Sequence, residues 1–477
     1  MGEKVEGNTI AAISTAASAG GIGIVRISGE SARNVADKIF RSKSGKKILH
    51  TEGYHALYGH VFDGETPVDE VIALVFAAPK SYTGEDVVEL SAHGGTVVLK
   101  KILRLCLENG AHLAEPGEFT KRAFLNGKMD LTEAEAVMDI ISAKSEDAAK
   151  AALFAHDGAL SRELSQIKEE VLSAAAWLGA WADFPEEDIP EVENGALLSR
   201  IESVRARLQK LISTFDRGQI VKNGIDTVIT GRTNAGKSTL MNLLCGRESS
   251  IVTEIEGTTR DVITEDVRLG DILLKVSDTA GLRKTDDPVE KFGIDRARKR
   301  ASQAQLVLAV FDRSKELSDE DRRLTELCRD RPSIAVINKT DLEGRLDENY
   351  IYENFSNTVR ISAKDGCCVE ILSKEVEKLF SLQNFDPSAA LISNERQLEC
   401  ALSALRSLEQ SAMAVNSGIT LDAVSVCLDD CLAALMELSG ERVTEQVANN
   451  VFHNFCLLRF EHYLSPVVSA IPVRERR

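Results

Sequence analysis

Gly231-Arg232-Thr233-Asn234-Ala235-Gly236-Lys237-Ser238 follows an apolar run at 227–230 and precedes a helical pattern at 239–244. Strand, glycine-bracketed loop and helix in that order predict a phosphate cradle at the carboxyl end of a parallel sheet. Glycines let the backbone wrap an anion with its N–H groups inward, and the start of the helix adds partial positive charge. Lys237 then reaches the β- and γ-phosphate oxygens and Ser238 offers its hydroxyl to Mg2+, with Asn234, Ala235, Gly236 and Thr239 completing the loop. A glycine-rich turn with no ligand is the plain alternative, and only the surrounding motifs remove it.

Working outward, short apolar runs end at Thr230, Ser277, Asp312, Ile337 and Ile361, each followed by a polar loop. Asp278-Thr279-Ala280-Gly281 closes the second of them. Its carboxylate suits Mg2+ through a water, and Gly281 offers an N–H to the γ-phosphate. Upstream, Gly257-Thr258-Thr259-Arg260-Asp261 supplies a second Mg2+ hydroxyl, assigned to Thr259. Asn338-Lys339-Thr340-Asp341 selects the base. Asp341 accepts from guanine N1–H and the 2-amino group; adenine has neither donor, so ATP would leave the carboxylate unpaired at a cost of several kcal/mol. Ser362-Ala363-Lys364 adds a backbone N–H for guanine O6. The expected ligand is GTP with Mg2+. Leu282 stands where signalling GTPases carry a water-orienting glutamine, so another group must meet the developing charge. Asn234 is the candidate; capping the loop is its bland alternative.

At 477 residues the chain is too long for one ordinary core, and about two to four domains are expected. With 43% hydrophobic and 27% charged residues it reads as soluble and globular. A net charge of −17 excludes a surface coated throughout by nucleic acid, though not a local basic groove. The nine cysteines are odd in number and form no Cys-x-x-Cys pair, which argues against a zinc knuckle or disulfide framework and for a reducing cytoplasm. Apolar runs such as 306–311 are too short to span a bilayer, so no membrane is expected. The stretch 9–19 lacks leucine and follows Glu3 and Glu6, unlike a signal peptide.

Four segments differ in texture. Residues 1–126 mix β-like runs with glycine turns and read as α+β. From 127 to 222 the pattern is helical, with a capping box expected at Thr132 and Glu135. Leu160, Leu164, Ile167, Val171, Ala174 and Leu178 form a seam for helix packing. Residues 223–383 alternate strand and helix, and 384–477 return to helix. The α/β unit therefore reads as an insertion in a helical domain.

Segments 1–13, 23–29, 82–95, 116–137 and 183–188, with 223–383, resemble the tRNA-uridine 5-carboxymethylaminomethyl modification GTPase family (MnmE, also called TrmE). The resemblance implies a multidomain chain: an α+β N-terminal folate-binding-type domain, an all-α helical domain and an inserted α/β P-loop GTPase domain. It implies K+ held by Asn234, Thr253, Ile255 and Thr258, mostly through backbone oxygens, with the cation standing where other systems insert an arginine. Glu290 corresponds to the family's water-orienting glutamate; pairing with Lys291 or Arg283 is the local alternative.

In residues 1–126 the family binds a tetrahydrofolate derivative, 5-formyl- or 5,10-methylene-tetrahydrofolate, and forms its homodimer. Arg26, Glu89 and Lys128 match its folate residues; without the resemblance they would read as scattered solvated charges. The implied partners are tRNA and an FAD-dependent subunit (MnmG, also called GidA). The implied reaction passes one carbon to a wobble uridine.

Phe455-Cys456-Leu457-Leu458-Arg459 departs from the family ending Phe-Cys-Ile-Gly-Lys, and eighteen residues follow it. Cys456 keeps the family cysteine, as a reactive group or a buried thiol, and Arg459 replaces the folate-touching lysine. That departure also suits a regulatory GTPase that lost the RNA chemistry. A ribosome-assembly factor is the other alternative, although no domain with a GXXG RNA clamp follows the α/β unit.

Overall fold

The computed structural model describes residues 8–16, 18–183, 193–247, 264–277, 304–366, 369–383 and 385–453. The described residues up to Met138 and from Ser439 form one compact unit, and those of Asp139–Leu438 form another.

In the first unit, alternation builds an antiparallel sheet. Strands β1 (Ile10–Ile13), β2 (Ile22–Ser28), β3 (Phe40–Ser42), β4 (His55–Asp63), β5 (Thr66–Phe76), β6 (Val87–His93) and β7 (His112–Leu113) are ordered β3-β4-β5-β6-β2-β1-β7. Only the β1/β7 pair is parallel among these neighbours. Val25 faces Leu90 and Ile27 faces Val88 across β2 and β6. These four side chains are buried under helices α1 (Ala32–Ile39) and α2 (Thr96–Glu108), which contribute Val35, Ile39, Leu99 and Ile102 to the same core. Because side chains alternate between faces, Arg26 and Glu89 then lie opposite each other on the other face.

Helices α3 (Glu118–Leu125) and α4 (Leu131–Ser142) follow. The capping box lies two residues earlier than Thr132 and Glu135. Asp130 accepts from the backbone of Glu133 at 2.8 Å, and Glu133 accepts from the backbone of Asp130 at 2.9 Å. The sequence allowed both frames, and burial chose between them: Thr132 is 3% exposed and donates its hydroxyl to Asp130. Leu131 and Ala134 pack with Ala448 and Phe452 in a small core of their own.

The second unit joins a helical bundle to an α/β sheet. Helices α5 (Glu146–His156), α6 (Ala159–Asp183), α7 (Asn194–Ile212) and α8 (Phe215–Asn223) precede the sheet. The seam Leu160, Leu164, Ile167, Val171, Ala174 and Leu178 is buried against Leu197, Ile201, Val204 and Leu208 of α7. Strands β8 (Ile225–Thr230), β9 (Thr264–Leu269), β10 (Ile272–Ser277), β11 (Leu306–Asp312), β12 (Ser333–Asn338) and β13 (Thr358–Arg360) are ordered β13-β12-β11-β8-β10-β9. All neighbours are parallel except the β9/β10 hairpin.

Every residue of β11 is buried, because helices cover both faces. Leu306, Leu308 and Val310 pack with Leu240 and Leu244 of helix α9 (Lys237–Arg247). Val307, Ala309 and Phe311 pack with Leu324 and Cys328 of helix α10 (Asp319–Cys328) and with Ile351 of helix α11 (Glu348–Asn354). Helix α12 (Val369–Leu379) closes the α/β part, and α13 (Glu395–Asn416) and α14 (Leu421–Ser439) return to the bundle. The last described helix, α15 (Glu445–His453), belongs to the first unit.

The outgoing and returning connections lie side by side. Thr214 accepts from the backbone of Ile392 at 3.1 Å, and Gln219 donates to the carbonyl of Ser393 at 2.9 Å. Among the described residues no helix is long and apolar enough to cross a membrane.

Candidate nucleotide site

Strand order reverses at β8, whose neighbours β10 and β11 are reached in opposite directions. The crevice at its carboxyl end is where parallel sheets bind ligands, and Gly231–Ser238 occupies it. At Gly231 φ is +154° and an added Cβ would lie 2.3 Å from the carbonyl oxygen of Val310 in β11. The loop thus hugs the next strand. Asn234 and Gly236 also take positive φ, 65° and 97°. Ala235 is buried, while Asn234, Ser238 and Thr239 are exposed. Lys237 opens α9 and donates to the carbonyls of Gly231 at 2.7 Å and Arg232 at 2.8 Å. Burial pulls its ammonium below the ordinary lysine range, with Glu320 acting the other way.

The loops after β12 and β13, expected to select the base, are tied to this cradle by Asn338, the last residue of β12. Its side-chain amide donates to the carbonyl of Ala235 at 3.0 Å and accepts from the backbone of Ala363 at 3.0 Å. One buried amide therefore joins three loops whose extremes, Ala235 and Ala363, are 128 residues apart in sequence. Lys339 donates to the carbonyl of Asn234 at 2.8 Å. Asp341 is exposed, and the Ser362 hydroxyl lies 2.9 Å from it and 2.8 Å from Asp365. Lys364 is exposed beside them.

Two residues escaped the sequence reading. Asp312 ends β11 with its carboxylate buried against Lys339 at 2.6 Å. Burial pushes that carboxyl upward, but hydrogen bonds from Lys339 and Ser314 outweigh it and hold it below the usual aspartate range. Arg232 places its guanidinium 3.3 Å from Asp321, which caps α10 in a box with Ser318. The only sequence signal was an acid ending an apolar strand in one case and an acid in a first helical turn in the other.

The phosphate cradle fits its group: glycine positions that a Cβ would block, an ammonium drawn into the loop, and Ser238 open for a metal. Thr253, Ile255, Thr258, Thr259, Asp278, Thr279, Ala280, Gly281, Glu290, Cys456 and Arg459 lie outside the described residues.

In the first unit Arg26 and Glu89 pair across the strands at 2.8 Å. The rings of Tyr82 and Phe119 each lie 5.4 Å from the Arg26 guanidinium. Lys128 donates to the carbonyl of Pro79 at 3.3 Å, on the loop that carries Tyr82. A carboxylate, a guanidinium and two aromatic rings are groups whose chemistry fits a flat heterocycle bearing N–H donors, such as a pterin.

Comparison with known proteins is consistent across the chain. The GTP-binding protein TrmE N-terminus matches residues 9–128, and the MnmE helical domain matches residues 131–456. The tRNA modification GTPase MnmE of Clostridioides difficile (strain 630) is 40% identical over 455 residues, 94% of this chain and 99% of that protein. The tRNA modification GTPase MnmE of Lactococcus lactis subsp. cremoris (strain MG1363) is 41% identical over 454 residues, 95% of this chain and 98% of its own. Among solved structures, the G domain of the T. maritima FeoB iron transporter matches 32% of this chain and 98% of its own at 19% identity, with a TM-score of 0.26. With two relatives at that identity spanning nearly its whole length, the chain belongs to the tRNA modification GTPase MnmE family.

Proposed function

We propose that this chain is a GTP hydrolase of the cytoplasm that serves modification of the tRNA wobble uridine, working as a homodimer with an FAD-dependent partner of the MnmG (GidA) type. The observation that carries the nucleotide part is the Asn338 amide, which joins the phosphate loop at Ala235 to the base-selecting loop at Ala363. In this reading residues 1–126 form the folate and dimerisation domain, 223–383 the GTPase domain, and 127–222 with 384–477 the helical domain.

Lys237 and the loop N–H groups of 234–239 bind the phosphates, and Asp341 with the Ala363 N–H orients guanine. Ser238 and Thr259 would hold Mg2+, with Asp278 as a further carboxylate for it. Asn234, with Thr253, Ile255 and Thr258, holds K+. When bound, K+ would supply positive charge to offset the negative charge developing on the phosphates, the role left open by Leu282. Glu290 orients the attacking water. Glu89 accepts from the N–H donors of a tetrahydrofolate ring, and Arg26 and Lys128 meet its carbonyl or carboxylate oxygens. Cys456 and Arg459 stand where the family places a cysteine and a lysine near that site.

The deciding experiment is nucleoside analysis of tRNA from a deletion strain carrying this gene. Restored 5-carboxymethylaminomethyl uridine supports the reading, and its continued absence refutes it. Equal GTP hydrolysis in Na+ and K+ would remove the K+ assignment. Glu290→Gln should slow hydrolysis and leave GTP affinity alone; lost affinity would mean a structural glutamate. Leu458 and Arg459 favour the second reading, a member without the RNA chemistry, which predicts intact GTP hydrolysis in a strain whose tRNA stays unmodified.

A further inference from the structure

We infer that Asp312 is a positioning residue for the nucleotide site: through Lys339 it holds the phosphate loop and the base-selecting loop in one shape. The inference rests on the guanine-nucleotide reading above. Asp312 is 2% exposed at the carboxyl end of β11. One carboxylate oxygen accepts from the Ser314 backbone at 3.0 Å and from its hydroxyl at 2.6 Å. The other accepts from the Lys339 ammonium at 2.6 Å. A buried carboxylate with donors on both oxygens is directional, so it fixes where that ammonium sits.

The ammonium's second bond is to the backbone oxygen of Asn234, at 2.8 Å. Asn234 and Lys339 both occupy the left-handed region, with φ of 65° and 64°. Asparagine enters that region readily, but a lysine does so rarely and holds it where its surroundings fix it. The chain Asp312–Lys339–Asn234 is such a restraint. It runs from the end of β11, across the loop after β12, to the turn of the phosphate loop. Asp312 is spent on Ser314 and Lys339, so it acts through Lys339 and not as a ligand.

The test uses the full chain and a fluorescent GDP analogue with Mg2+. Asp312→Asn should weaken binding by about tenfold or more, the scale of a broken buried charge pair. Lys339→Met should lose a comparable amount, and the double variant should lose no more than the worse single one. A buried pair that served stability alone would lower the melting midpoint and leave GDP affinity in the folded fraction unchanged, and that result overturns the inference. Losses that simply add in the double variant overturn it as well. Should Asp312→Asn fail to fold, Ser314→Ala removes one donor from the carboxylate; partial loss of affinity supports the inference and unchanged affinity refutes it. Wild-type protein that binds no GDP would instead overturn the nucleotide reading itself.

Discussion

Gly236→Ala tests the geometry of the phosphate loop most sharply. The residue sits at φ +97°, where a side chain is strained by about 1–3 kcal/mol. The new Cβ would also lie 2.1 Å from the Asn338 amide nitrogen, far inside contact distance. Asn338 must move, and with it go the bonds to Ala235 and Ala363. Leaving buried partners unpaired costs about 1–3 kcal/mol more. The combined penalty of about 2–6 kcal/mol corresponds to a loss of roughly thirtyfold or more in nucleotide affinity if the site bears it. Titration with fluorescent GDP reads the affinity, and circular dichroism confirms that the chain is folded. A folded Gly236→Ala protein that binds within about twofold of wild type would show that neither the strain nor the Asn338 contact shapes the site.

Four further outcomes follow from the packing and the charges. Leu178→Ala, at a position 1% exposed in the bundle core, should cost about 2–5 kcal/mol and lower the melting midpoint; an unchanged melt contradicts that packing. Cys106, Cys328 and Cys431 have thiols pushed up to about 12 by burial, so iodoacetamide at mildly alkaline pH should modify them only after unfolding. Rapid labelling of those peptides in the native protein would refute it. Asp312 titrates below its ordinary value in the folded chain, so its contribution is present above that value and fades as pH falls through and below roughly 4. Urea melts across that window should therefore be less pH-dependent in Asp312→Asn, and identical slopes would show that its ionisation is not linked to folding. Arg26→Gln removes a cross-strand partner worth less than about 1 kcal/mol, so the fold should survive while the calorimetric heat of 5-formyltetrahydrofolate falls. Unchanged heat takes Arg26 out of that site.

Much of the α/β unit was legible because its signals are local. A buried parallel strand must be apolar along its whole length, as β11 is, and the polar loop after it must carry the ligand chemistry. The helical seam was legible for the same reason: one face of a helix repeats every three to four residues, and those positions are buried in α6. Helix α8 ends at Asn223, one residue past the stretch that the sequence reads as helical. Gly218 interrupts its pattern, yet tertiary contact requires that glycine, since a Cβ there would lie 2.6 Å from the carbonyl oxygen of Ile392. The capping frame of α4 was misread because Asp130 with Glu133 and Thr132 with Glu135 offer the same spacing, and only the burial of Thr132 separates them.

Read alone, then, the amino-acid order determined a glycine-bracketed turn between strand and helix, predicted an aspartate for guanine, and marked the helical surroundings of both. Those features depend on backbone amides and on side chains a few positions apart, where covalent geometry does most of the placing. Only the tertiary structure decided that Asn338 spans Ala235 and Ala363, that Lys339 is held by Asp312, and that Arg26 meets Glu89. Such pairings depend on strand order and register, and a shift of one residue in β2 against β6 would send Arg26 and Glu89 to opposite faces.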